Sequence, residues 1–115
     1  MAAERRMVFV LLAVAIVSEV IATLLLKASA GWVKWWFGAA SVFFYAIAGA
    51  LLGLVLKEMS VGLAYAIWAG AGIALVCVAS VFLWQQRFDV AAVAGVTLIV
   101  AGVALITLKS SVVIQ

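Results

Sequence analysis

Three short polar breaks, at residues 27–34, 57–60 and 85–89, are all that interrupts an apolar sequence running from Met7 to Leu108. They leave four stretches at about 7–27, 35–56, 61–84 and 90–108, each close to the roughly 20 residues that a helix needs to cross a hydrocarbon core of about 30 Å. In lipid every backbone N–H and C=O must find its partner within the protein, so only helices and closed barrels can span it. The stretches are continuously apolar and do not alternate as barrel strands do. The expectation is an all-α membrane protein, a single four-helix transmembrane domain over residues 1–115.

Composition agrees. With 71% hydrophobic and 10% charged residues and a mean hydropathy of +1.45, there is too little polar surface to cover a water-soluble globule. The net charge of +3 comes from seven basic residues scattered at stretch ends; they form no patch or stripe, which argues against nucleic acid as a partner. Cys77 is the only cysteine and histidine is absent, so an intrachain disulfide is impossible and neither a His/Cys metal site nor a cofactor is expected. Cys77 reads as a small packing residue. Arg5 and Arg6 ahead of the first stretch resemble the start of a cleavable leader, but that stretch carries Glu19 and ends at Lys27, so it is read as a retained span.

The sequence contains no proline. The turns therefore fall to Gly31, Ser60 and the polar cluster WQQRFD, while Trp32, Trp35, Trp36 and Trp84 stand where aromatic anchors favour the headgroup region. With four spans, Arg5, Arg6, Lys57 and Lys109 share one side and Lys27, Lys34 and Arg87 the other. A margin of one basic residue gives the positive-inside rule little to act on, so insertion in both orientations is open.

Within this apolar frame Glu19 is the residue that asks for a function. An ionisable group near the middle of a span costs at least about 2.5–3.5 kcal/mol, and such groups usually face a bundle interior or a watery cavity on a substrate or ion pathway. Leu12, Ala15, Ile16, Ala22 and Thr23 share its helix face. The face is mostly small, which leaves room for a bulky guest. The Thr23 hydroxyl is expected to bond back to its own helix carbonyl, with ligand contact as the alternative. In the third stretch Tyr65 and Trp68 lie three residues apart on one face, and Tyr45 in the second offers another ring. Aromatic faces attract ammonium groups by about 2 kcal/mol in dry sites, although rings in membrane helices also serve as filler. A cation bound to Glu19 favours its ionised form and expels the proton, and this competition is a physical basis for antiport.

Gly70 and Gly72 could form a hinge or allow close packing. Gly95 and Gly102, seven residues apart in GVTLIVAGV, offer a small-residue seam, either within one subunit or between two. Enzyme activity is not expected, since Ser18 beside Glu19 points about 100° away around the helix and no other nucleophile and base pair stands out.

SEVIATLLLK, GLAYAIWAGAG, WQQRFD and GVTLIVAGV, in order and at their separations over roughly residues 7–109, resemble the small multidrug resistance transporters. The resemblance implies a four-helix subunit working as an antiparallel dimer in a bacterial inner membrane, exchanging protons for quaternary ammonium or aromatic cations. By the same likeness Glu19 is the shared proton and substrate carboxylate, Trp68, Tyr65 and Tyr45 are substrate contacts, and Thr23 flanks the site. Gly70 and Gly72 form the bend of helix 3, and Gly95 and Gly102 the dimer seam. Ala69 departs from the Ser or Thr common after the tryptophan, and Ala30 from a frequent acidic loop residue. Within the family the alternatives are a guanidinium exporter, whose tryptophan and glycine after the glutamate are absent from VIATLLLK, and one half of a heterodimer for polyamines or drugs. Outside transport, the alternative is a structural or lipid-handling membrane protein.

Overall fold

The computed structural model describes residues 2–109, with side chains over 6–108. They form four α-helices, α1 (Ala2–Ala28), α2 (Trp35–Val55), α3 (Val61–Trp84) and α4 (Val90–Lys109). Each contains 19 to 24 residues long and apolar enough to cross a membrane, or about 28–36 Å at 1.5 Å per residue. The expected helices are all present. The largest difference is at the start of α1, which begins five residues before Met7. AAERR is rich in strong helix formers, so hydropathy locates entry into lipid while the helix itself starts earlier. Arg5 and Lys109, counted in the charge balance, have side chains outside the described ones.

The chain divides into two compact units, Met1–Glu58 and Met59–Gln115. In the first, α1 packs along α2. On α2 the buried residues are Gly38, Ser41, Ala48 and Val55, a stripe with spacings of three and seven that keeps to one helix face. Among the described side chains of α1, the buried apolar residues are Val8, Leu12, Ala15, Ile16, Val20 and Ala22.

The turn joining α1 to α2 takes Ala30, Gly31 and Trp32 through positive φ, at 52°, 68° and 72°. Only Gly31 does so freely, since the left-handed region costs other L-residues roughly 1–2 kcal/mol. Ser29 holds the turn: its buried hydroxyl donates to the Leu26 carbonyl at 2.7 Å and accepts from the Trp32 N–H at 3.1 Å. The Lys34 N–H closes onto the Ser29 carbonyl at 2.9 Å. This path lays the Trp32 ring over Gly38, where a Cβ would overlap the ring atoms. Trp32 thus packs as well as standing at a stretch end.

In the second unit, Ser60 caps α3 by accepting from the Leu63 N–H at 3.3 Å, Gln85 ends it in the left-handed conformation, and Asp89 opens α4 by accepting from the Ala92 N–H at 2.8 Å. The expected turn residues therefore act as turn residues. Where α3 meets α4, a Cβ on Gly70 would lie 2.6 Å from Val103 Cγ2. Of the two readings left open for Gly70, the structure has close packing there, within a helix continuous from Val61 to Trp84. Gly72 is also buried. Gly95 and Gly102 differ: a Cβ at either would meet nothing within 4 Å among the described residues. Within the second unit, α3 does not cover them.

Candidate functional site

Glu19 sits partly buried on α1 with Thr23 one turn ahead of it. The Thr23 hydroxyl donates to Glu19 Oε1 at 3.2 Å and is 2.8 Å from the Tyr45 hydroxyl of α2. This corrects the expectation that Thr23 bonds back to its own helix. Thr97 and Thr107 do so, donating to the carbonyls of Val93 and Val103 at 2.8 Å each. Thr23 has better partners, a carboxylate one turn away and a phenol across the helix pair. The result is a three-member polar chain, Glu19, Thr23 and Tyr45, that links two apolar helices.

The small face beside Glu19 is packed. Leu12, Ala15, Ile16 and Ala22 are at most 4% exposed, so this face of α1 is covered and is not open room. Beside the carboxylate, Thr23 is partly buried and Tyr45 is 37% exposed.

Sequence reading passed over Ser41. Its buried hydroxyl donates across the helix pair to the Ala22 carbonyl at 2.8 Å, next to Thr23 and one turn before Tyr45. An interhelical bond at this level fixes how α2 lies on α1, and with it where the Tyr45 hydroxyl falls. The available signal was that Ser41 is the only Ser or Thr in α2 and lies four residues before Tyr45, on the same face. Ser41→Ala is expected to lower stability in micelles by about 0.6 kcal/mol, with about 1.7 kcal/mol as the upper end for such bonds in membrane helices. Reversible denaturation followed by circular dichroism measures it, and a more stable variant would contradict the assignment.

In the second unit Tyr65 is 66% exposed and Trp68 partly buried, one turn apart on α3. A separate surface recess of about 320 Å³ at the start of α4, lined by Phe88, Asp89, Val90, Val93 and Ala94, also carries a carboxylate. That of Asp89 is engaged as the helix cap.

Residues 7–99 match the model of the Small Multidrug Resistance protein family. The chain is 45% identical over 102 residues to Multidrug transporter PA4990 of Pseudomonas aeruginosa, covering 89% of this chain and 93% of that one. It is 42% identical to Quaternary ammonium compound-resistance protein QacE of Escherichia coli, over 86% of this chain and 90% of the relative. With Multidrug transporter EmrE of Escherichia coli it shares 39% identity, over 89% and 93%.

Proposed function

The chain belongs to the Small Multidrug Resistance protein family, and from that premise we propose that it exchanges protons for hydrophobic, quaternary ammonium or aromatic cations, with Glu19 serving proton and cation in turn. It is a multi-pass protein of the bacterial inner membrane. The observation that carries the proposal is the partly buried Glu19 carboxylate, set in an apolar helix and joined through Thr23 to the Tyr45 hydroxyl. A carboxylate there has two ways to be neutralised, by a proton or by a bound cation, and one excludes the other. The names of the relatives, multidrug transporters and a quaternary ammonium compound-resistance protein, agree with a cation as the second occupant.

In this reading Tyr65 and Trp68 supply aromatic faces to the cation, and Tyr45 and Thr23 set the polarity of the wall beside Glu19. The working unit is an antiparallel homodimer. Two observations support it: the bare Gly95 and Gly102 on α4, and basic residues divided four against three between the two sides.

The test is uptake into proteoliposomes holding this chain alone, under an imposed pH gradient, of a tetraalkylammonium or arylphosphonium cation against guanidinium. Gradient-driven accumulation of the bulky cation is the expected result. Preference for guanidinium would move the chain to that substrate, and no transport of either by folded protein would leave it dependent on a second, different subunit or outside transport altogether.

A further inference from the structure

We propose that the turn between α1 and α2 binds the headgroups of anionic phospholipids, with Lys27 and Lys34 supplying the charge and Trp32, Trp35 and Trp36 seating the turn at headgroup depth. This site is separate from Glu19 and does not depend on the cation-exchange reading.

Of the three polar breaks, only this one is unbalanced in charge. Residues 57–60 set Lys57 against Glu58 and residues 85–89 set Arg87 against Asp89, whereas residues 27–34 hold two lysines and no carboxylate. No acidic residue lies between Glu19 and Glu58. Both lysines are exposed, and among the described residues neither side chain takes part in an ion pair. The backbone gathers the two charges onto one loop: the Ala30 N–H donates to the Lys27 carbonyl at 3.2 Å, and the Lys34 N–H to the Ser29 carbonyl at 2.9 Å. α2 then starts from Lys34 with no side-chain cap and no acidic residue in its first turn, so its dipole adds to the same sign.

From Lys27 to Trp36 the only side-chain oxygen belongs to Ser29, which is buried and engaged with the Leu26 carbonyl and the Trp32 N–H. The turn therefore shows its surroundings two ammonium groups and three indole N–H groups, donors with no side-chain acceptor among them. A phosphodiester is the converse, negative and able only to accept. Three of the five tryptophans stand here, each more than half exposed, and the rings of Trp35 and Trp36 meet edge to face at 6.1 Å. Indoles settle at the headgroup level and lysine stems reach up to it, which selects a lipid headgroup over a soluble anion. An aromatic belt by itself does not sort lipids by charge. The two uncompensated lysines do.

The experiment compares tryptophan quenching in the full chain reconstituted into mixed vesicles of phosphatidylcholine and phosphatidylglycerol, with bromine on the acyl chains of one lipid or of the other. Each lysine near an anionic surface is worth about fivefold in affinity, so the wild type is expected to favour phosphatidylglycerol by about fivefold or more. High salt should shrink the preference. Combining Lys27→Gln with Lys34→Gln should bring the two lipids to within about twofold of each other. Trp68 and Trp84 are common to every variant, so the change reports on the turn. Ala30→Asp places a carboxylate between the lysines at φ 52°, a left-handed position that aspartate tolerates. It should weaken the preference with both lysines in place, and it gives a second reading if the lysine variant fails to fold. Equal quenching by the two lipids in the wild type, or a preference that survives these substitutions, overturns the site and leaves the tryptophans as a belt without charge preference.

Discussion

Glu19→Gln is expected to reduce pH-driven cation uptake to background while leaving the helical content unchanged. Glutamine matches the glutamate in size and can still accept from Thr23, so the hydroxyl chain to Tyr45 has its partner and the buried surroundings of Leu12, Ala15, Ile16 and Ala22 need not repack. What disappears is the charge. Loss of one member of a close, desolvated ion pair costs about 2–5 kcal/mol, which corresponds to roughly thirtyfold to a few thousandfold in cation affinity. Titration calorimetry measures this directly. In unbuffered solution the wild type should also release protons as the cation binds, and the variant should release none. A variant that still couples uptake to the gradient would remove Glu19 from the exchange.

The second large effect is expected at Gly70. A Cβ there would stand 2.6 Å from Val103 Cγ2 and 3.1 Å from Val103 Cβ. Valine is stiff about its first side-chain torsion, so the methyl groups cannot swing away as the end of a long side chain would. Gly70→Ala must therefore push α3 and α4 apart, and overpacking of this kind typically costs about 1–3 kcal/mol. The compensating variant distinguishes packing from backbone freedom: Gly70→Ala combined with Val103→Ala should recover most of the loss, because the added methyl group then enters the space vacated by valine. If position 70 acts instead as a bend, alanine will lower transport whatever residue occupies 103. Thermal unfolding and uptake rates measured on both variants separate the two.

What the sequence revealed followed from how far each force reaches along the chain. Span lengths, the polar breaks and the caps at Ser60 and Asp89 depend on residues close together in sequence, and they were legible. The start of α1 was not, because the Ala, Glu and Arg residues before Met7 favour a helix without favouring lipid. Thr23 was misread for a related reason. Its possible backbone partner lay four residues away, whereas Tyr45, its partner across the helix pair, lies 22 residues on and comes within reach only once α2 has folded back. Ser41 carries no signal of its partner until Ala22 stands opposite. The small face beside Glu19 read as space, since a row of alanines describes equally well a cavity and a close helix contact, and only the packed pair decides.

The uncovered glycines of α4 have a consequence for how this protein must be handled. In the homodimer proposed above, a second copy completes this small-residue seam, so α4 would draw part of its stability from mass action and the melting temperature should climb with the protein-to-lipid ratio. Dilution into excess detergent would then weaken the protein without touching a residue.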